Sequence, residues 1–572
     1  MPNNWVNLAS RVCQTLLTVT CLSPLTTWAQ AGPDAGAMSR ELERQQAQPE
    51  RSLPMPPAAE PEAPPEAPVR SDTPGPTFVI RRFEFTGLTL LSAAELRDAL
   101  VPWLERELTF DDLEGALARV TALYQEKGWT VRPQLPEQDI VDGVVTLQLI
   151  EGKFGQVEVV SEDPPISEQQ IKGTLTARQR AGDPLRVSDL TRGLAVLNDL
   201  PGVSAQVALK PGAEVGVSDA LAIITPAADV AGNIVTDNYG ARSTGQSRIT
   251  GSLSWNNPGR RGDQAQLSLM GSKGTVYKRL AYSRPIGFDG WRVLASHSRL
   301  RYSLLGEFAD LDASGSAVTN EVGLTYPILR TAERNLTLSI DATRSRYTNT
   351  ESGEQSQRKL SYGAVGLSGD RTDAWMGGGF SAFGINLTHG LASQITDLCA
   401  CAEPATSRFT ALTLNGSRLQ RLVGPTTLRV ALSGQLAANQ LDSSRKFGLG
   451  GTHGIRAYAA SEASGDQGLL ASIEVRWNLA SGSQFSAFYD FGWIQQFKDL
   501  TSEQEAELST PNRYKLKGLG VGYVYNYNSK TTLKLALASR LGTNPGANPK
   551  TGLNSDGTSG RLRAWINLEA QL

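Results

Sequence analysis

Between Ala231 and Leu572 the chain repeats one pattern: segments of about ten residues alternate apolar and polar side chains, parted by stretches rich in Gly, Asn, Asp and Ser. Thr427–Leu436 (TLRVALSGQL), Arg334–Tyr347 (RNLTLSIDATRSRY) and Thr531–Leu541 (TTLKLALASRL) show it clearly. Successive side chains of a strand point to opposite faces, so each segment offers one apolar face and one bearing Ser, Thr, Arg, Asp or Gln. That is the pattern of a membrane-spanning strand with lipid outside and a wet lumen inside. A soluble sandwich would show the same alternation, but the number of strands and the Arg residues at inward positions weigh against it. No apolar run of about 18 residues occurs, which excludes a helical membrane protein and leaves a barrel open. Sixteen candidate strands begin near Asn233, Ser247, Gln264, Val276, Trp291, Val318, Asn335, Lys359, Gly379, Arg408, Thr427, Gly468, Gln484, Lys515, Thr531 and Arg561. The even count suits a closed bacterial barrel. Aromatics near the predicted strand ends (Trp255, Tyr302, Tyr347, Trp477, Tyr527) are expected to form interfacial girdles.

Composition narrows the function. Lys and Arg total 55 against 57 Asp and Glu, a net charge of -2 that lacks the basic excess of a nucleic-acid binder. Three His (His297, His389, His453) and four Cys provide no spacing that resembles a ligand set, so no metal or cofactor is expected. Neither a G-x-S-x-G elbow nor a Walker A loop is present, so neither catalysis nor nucleotide use is expected. Arg261-Gly262-Asp263 looks like an adhesion signal but falls where a turn leads into the third strand.

The N-terminal part reads as address, helix, tether and two small domains. Arg11, an apolar stretch from Thr15 to Leu25 and an A-x-A site ending at Ala31 make residues 1–31 a secretory signal peptide. Within 32–48, Ala37 to Gln48 has helix formers but almost no apolar face, which demands a polar surrounding. Residues 49–76 hold ten prolines in 28 residues. An extended tether of that length reaches up to ~85 Å at about 3.1 Å per residue. From 77 to 154 the order is β-α-α-β-β, opening on a strand from Phe78 to Phe85. In its second helix Thr109 caps with Asp112, and Leu113, Leu117, Val120 and Tyr124 share one face up to Gly128. Residues 155–228 repeat that order with different residues, before the barrel of 229–572.

Here the sequence resembles a known family. Leu123-Tyr124-Gln125-Glu126-Lys127-Gly128-Trp129, Leu135-Pro136-Glu137-Gln138-Asp139-Ile140-Val141-Asp142-Gly143 and Ile150-Glu151-Gly152 resemble the first POTRA domain of two-partner secretion transporters. These are the TpsB family of haemolysin and filamentous-haemagglutinin exporters. Leu197-Asn198-Asp199-Leu200-Pro201-Gly202-Val203 and Leu209-Lys210-Pro211-Gly212 resemble the second POTRA domain. The resemblance implies a mainly β protein: a 16-stranded transmembrane barrel behind two periplasmic α/β POTRA domains and an N-terminal plug helix. It implies location in the outer membrane of a Gram-negative bacterium and export of an unfolded partner, a large β-helical exoprotein, by two-partner secretion. Outer-membrane lipid, lipopolysaccharide and the barrel assembly machinery would be further partners. The last strand ends at Leu572, where outer-membrane barrels usually carry an aromatic residue. A barrel-assembly factor of the same superfamily and a passive porin are the competing readings.

The resemblance also selects a site. The connection from about Asn439 to Gln467 is the sixth extracellular loop and contains Gly450-Gly451-Thr452-His453-Gly454-Ile455-Arg456-Ala457-Tyr458. In the family its V-R-G-Y/F tip folds back into the lumen, against an F-x-D-x-G motif of the barrel. Here that motif is Phe488-Tyr489-Asp490-Phe491-Gly492. Ala457 replaces the family's Gly, so any positive φ needed there would be strained. A guanidinium inside a barrel needs a fixed acceptor, and a carboxylate matches its fork. A salt bridge between Arg456 and Asp490 is therefore expected to lock the loop, with Tyr458, Gly454, Gly451, Phe488 and Gly492 completing the site. Cys399 and Cys401, in the fifth extracellular loop, are either bridged or free.

Overall fold

A computed structural model describes residues 34–47, 77–396, 405–460, 462–479 and 482–572. The expected signal peptide and proline tether, and Cys399 and Cys401, lie outside these residues.

Sixteen strands close into one barrel. They are β1 (Val230–Asp237), β2 (Arg248–Asn256), β3 (Gln264–Gly271), β4 (Thr275–Ile286), β5 (Trp291–Ser303), β6 (Ser314–Arg330), β7 (Arg334–Glu351) and β8 (Glu354–Asp373), followed by β9 (Gly379–Thr396), β10 (Ala405–Arg421), β11 (Thr426–Ala437), β12 (Gln467–Asn478), β13 (Gln484–Gln495), β14 (Arg513–Asn526), β15 (Thr531–Arg540) and β16 (Leu562–Gln571). Neighbours in sequence pair antiparallel, and β16 returns to β1 from Asn567↔Asp237 to Gln571↔Asn233. Leaving no free edge is what allows backbone polar groups to cross hydrocarbon. The exposed face carries Ile340, Val365, Leu387 and Leu432, as a lipid-facing wall must.

Two expectations are corrected by the strand lengths and faces. Strands β6 to β10 run to between 17 and 20 residues, so β6 and β8 start earlier than Val318 and Lys359. Their polar outer halves gave no apolar signal, yet they pair as far as Glu351↔Glu354 across the two-residue turn Ser352-Gly353. Both turn residues have positive φ (48° and 84°), which suits the twist of a tight hairpin. Tyr302 and Tyr347 are not girdle residues. They point inward and are 6% and 2% exposed, whereas Trp255, Trp477 and Tyr527 face out.

The inward tyrosines pack against helix α1 (Ala35–Ala47), which lies inside the barrel. Asp34 accepts the amide of Ala37 at 2.8 Å as an N-terminal cap. Ala35 and Leu42 belong to one buried cluster with Tyr277, Leu300, Tyr302, Tyr347 and Phe409. The polar faces of the helix find partners on the wall, which is why a helix without an apolar stripe is stable there.

The first periplasmic module packs α2 (Ala93–Leu100) and α3 (Phe110–Glu126) on a sheet ordered Arg82–Thr86, Val144–Glu151, Val131–Gln134. Thr109 and Asp112 form a reciprocal capping box at the start of α3. The strand expected from Phe78 to Phe85 is broken: Phe78–Val79 pairs with Glu107–Leu108, and Arg82–Thr86 pairs with Val144–Gln148. The break falls where the amides of Arg81 and Arg82 both turn to the Gly143 carbonyl, at 2.7 and 3.2 Å. The second module packs α4 (Glu168–Leu175) and α5 (Val187–Asn198) on a sheet ordered Lys153–Val160, Val217–Pro226, Val203–Pro211. It sits on three turns of the barrel. Arg260 pairs with Asp163 at 2.6 Å, Arg192 with Asp289 at 2.6 Å and Arg330 with Asp199 at 2.7 Å. Those three turns therefore define the periplasmic rim. The Asp263 carboxylate of the Arg-Gly-Asp sequence is 1% exposed in the first of them, where it accepts from Gly259 and the Tyr282 hydroxyl, so it is closed to an adhesion partner.

Candidate functional site

The connection between β11 and β12, residues 438–466, leaves the extracellular rim and folds inward. Its base is tied by Asp466, which is fully buried and accepts from the amides of Leu441 (3.1 Å) and Lys498 (2.8 Å). Lys446 approaches the same carboxylate at 3.4 Å. A second tie is Glu462, which accepts from the amide and hydroxyl of Ser555 and from Asn544, joining the sixth loop to the eighth. At the tip the amide of Tyr458 donates to the Ile455 carbonyl at 3.0 Å, so Ile455-Arg456-Ala457-Tyr458 is a β-turn. Gly451 has φ +88°, and a Cβ at Gly454 would lie 1.9 Å from the Leu449 carbonyl oxygen, so both positions need glycine. Ala457 lies outside the left-handed region, so the strain expected there does not arise.

The turn presents Arg456 to the barrel wall. Its Nη2 lies 2.8 Å from Asp490 Oδ1 and its Nε 3.0 Å from Oδ2, a bidentate fork. Its own amide also donates to Oδ2 at 3.1 Å. Nη1 reaches Glu474 at 2.9 Å, and Nη2 reaches the Ser472 hydroxyl at 3.1 Å. Ser472 donates to Asp490 at 2.8 Å, and Arg476 balances Glu474 at 2.8 Å. The guanidinium carbon stands 3.3 Å from the centre of the Phe488 ring. From the other side, the Trp565 indole of β16 donates to the Arg456 carbonyl at 2.7 Å. Asp490 is wholly buried. It lies five residues below the outer end of β13, or ~17 Å along the strand. The loop tip is therefore deep in the lumen.

Apolar packing seats the rest of the tip. Leu449, Ile455, Ala457 and Tyr458 are buried with Phe488, Ile494, Tyr514 and Leu516 of the wall. Glycines make the room. A Cβ on Gly492 would meet Leu449 at 2.7 Å and Ile455 at 2.8 Å, and one on Gly518 would meet the Ala457 Cβ at 2.7 Å. The same test on Gly520 gives 2.5 Å to the Phe488 ring. Helix α1 touches this loop as well. Arg44 donates to the carbonyls of Gly448 (2.5 Å) and Gly450 (2.7 Å), and Gln45 accepts from Arg248 of β2. At the other end of the helix, Asp34 pairs with Arg358 at 2.9 Å and accepts from Ser443 at 3.0 Å, while Asn349 accepts the Ala35 amide at 2.9 Å. Those partners sit toward the outer ends of β1–β2 and β7–β8, so both ends of the helix are tied to the barrel wall. Beside it remains a cavity of about 1800 Å³, with Arg40, Arg279, Glu321, Asp341, Lys446 and Arg563 among the side chains around it.

Arg456, Tyr458, Gly454, Gly451, Asp490, Phe488 and Gly492 thus come together in one place. Four participants had no sequence signal of their own. Glu474 and Ser472 are two of many polar residues at alternate positions of a strand. Trp565 comes from the far end of the chain. Arg44 belongs to a helix whose position the sequence left open. A signal for Gly518 and Gly520 existed in the run Gly518-Leu519-Gly520-Val521-Gly522, which is too poor in side chains for an ordinary strand.

Comparison with known proteins agrees with this architecture. Residues 221–524, more than half of the chain, match the haemolysin secretion/activation proteins ShlB/FhaC/HecB, and residues 78–152 match the ShlB-type POTRA domain. The heme/hemopexin transporter protein HuxB of Haemophilus influenzae (strain 86-028NP) is 26% identical, covering 90% of this chain and 92% of its own. The outer membrane transporter CdiB of Dickeya dadantii is 24% identical over 76% of this chain and 79% of its own. The structure of CdiB from Escherichia coli superposes with a TM-score of 0.72 at 20% identity, covering 95% of this chain and all of that one, which shows a shared fold. The chain belongs to the haemolysin secretion/activation family of outer-membrane transporters, with its POTRA modules in the periplasm.

Proposed function

We propose that this chain exports one unfolded partner exoprotein through its own barrel, and that helix α1 with the sixth loop is the gate. The observation that carries this is the helix inside the lumen, tied at both ends to the wall and through Arg44 to the loop whose tip is clamped by Asp490 and Glu474. A pore that served only small solutes would have no need of either obstruction. The edge strands of the first periplasmic sheet (Arg82–Thr86, Val131–Gln134), and Val203–Pro211 of the second beyond Ala205, offer main-chain groups to an extended cargo, which can add to them as a further strand. The cargo class is a large secreted β-helical protein. Transport uses this chain's own surfaces, with lipid and lipopolysaccharide around the barrel and the barrel assembly machinery acting on its insertion.

Comparative proteomics of culture supernatants tests the reading, using wild-type, deletion and Arg456→Ala cells. One large protein should vanish in the deletion and fall at least several-fold in the variant. An unchanged supernatant, with several outer-membrane proteins declining instead, would replace export by barrel assembly.

A further inference from the structure

The outer surface of the barrel carries a charge pattern that neither the gate nor the cargo path explains. On β7 the outward positions Leu336, Leu338, Ile340 and Ala342 are apolar, and the next two are Arg344 and Arg346. On β5 they run Trp291, Val293 and Ala295, then His297, Arg299 and Arg301. The flanking residues Leu300, Tyr302 and Tyr347 are buried toward the lumen, so the cations between them point out. Leu336 and Arg346 are ten residues apart, ~33 Å along the strand and about 25 Å along the membrane normal at a tilt near 40°. That is the full height of an apolar band, so Arg346 stands at its outer boundary.

Register brings these cations together. Lys278 of β4 lies directly opposite Arg299, and Lys359 of β8 directly opposite Arg346. Arg299 and Arg346 in turn flank Val318 of β6 from its two sides. Two like-charged pairs thus face outward, about 10 Å apart across one neutral strand. Like charges placed directly opposite destabilise a sheet. No Asp or Glu occupies an outward position in this row or in the rows beside it. Glu321 and Asp341, the acids of β6 and β7 nearest this row, face the lumen, where Glu321 pairs with Arg279. Among the described residues no carboxylate therefore relieves the repulsion.

We propose that this row binds the phosphates of an outer-leaflet glycolipid of the lipid A class, one phosphate on each cationic pair. The depth is that of a lipid headgroup, and a sugar backbone phosphorylated at both ends matches two paired cations separated by a neutral position. A phosphate between two opposed cations turns their repulsion into charge-assisted hydrogen bonds.

The test uses the purified full-length chain in detergent and measures binding of bisphosphorylated lipid A, the same lipid stripped of phosphate, and phosphatidylglycerol. Bisphosphorylated lipid A should bind most tightly. Binding should fall about 100-fold in Arg299→Gln/Arg346→Gln/Lys359→Gln, at roughly a factor of five for each cation removed. Arg284→Gln, an outward cation near the periplasmic end of β4, should leave binding unchanged. Heat-modifiable migration on gels reports whether the triple variant is a folded barrel. Phosphate removal from the lipid tests the wild-type chain independently of any variant. Equal binding by the folded triple variant, by phosphate-free lipid or by phosphatidylglycerol would overturn the proposal.

Discussion

At the scale of single residues the site is a charge-balanced cluster: Arg456 and Arg476 face Asp490 and Glu474. Removing one partner from a buried pair leaves the other charge uncompensated, at a cost of about 3 kcal/mol or more. In Asp490→Asn the tip should therefore unseat, and trypsin cleavage after Arg456 in the detergent-solubilised protein should accelerate ~100-fold, since each 1.4 kcal/mol is a factor of ten. Glu474→Gln should accelerate it less, because the bidentate contact survives. Cleavage at the wild-type rate in Asp490→Asn would show that the apolar seat alone holds the loop. The residues involved were unequally legible in the sequence. Arg456 and Asp490 stand in motifs with fixed neighbours. Glu474 sits in a strand that must alternate polar and apolar residues whatever its neighbours do, so its polarity marks a face and not a role. Ala457 invited an argument about strain, because the sequence gives the residue and not its φ.

At the scale of elements, the strands of the barrel were legible where lipid sets the alternation and illegible above it. Outside the membrane β7 and β8 continue as polar strands held by their own hairpin, and nothing apolar marks their ends. Tyr302 and Tyr347 were misjudged for the same reason: near a strand end, the sequence shows an aromatic without showing its face. The periplasmic elements follow ordinary capping and packing rules, and one junction among them titrates. Glu151, at the end of its strand, accepts from the amides of Thr89 (3.0 Å) and Leu90 (2.9 Å), from the Thr89 hydroxyl, and from the Tyr124 hydroxyl of α3 (2.7 Å). Partial burial alone would raise its pKa, but the bonds from Thr89, Leu90 and Tyr124 outweigh that and hold it below the usual glutamate value. A depressed carboxylate stabilises the fold above its unfolded pKa, about 4.3, and that contribution disappears as pH falls through the lower folded value. Hydrogen exchange at the Thr89 and Leu90 amides should be insensitive to this group from pH 8 down to about 5 and should gain an extra, several-fold acceleration below about pH 4. In Glu151→Gln that extra acid step should be absent. An identical acid step in the variant would assign it to another carboxylate.

At the scale of the whole molecule, the chain is a barrel held at three places by what surrounds and fills it. The second periplasmic module meets the barrel rim through the pairs Arg192–Asp289, Asp199–Arg330 and Asp163–Arg260. The sixth loop grips the inner wall through Arg456. Helix α1 lies in the lumen and touches that loop through Arg44. The proposed gate requires the helix to move when a polypeptide passes. The geometry supplies a direct test. A Cβ built on Gly36 lies 2.9 Å from the Ser443 Oγ, close enough for a disulfide once both positions carry sulfur. In Gly36→Cys/Ser443→Cys, with Cys399 and Cys401 replaced by Ser, the oxidising periplasm should close that bridge and hold the helix in the lumen. The exoprotein should then disappear from the medium, and a permeable reductant should restore it within one experiment on the same cells. Either single cysteine should export normally. Full export with the bridge closed, as shown by a mobility shift on non-reducing gels, would mean that cargo passes without displacing the helix. The remaining cavity beside it would then have to be the path.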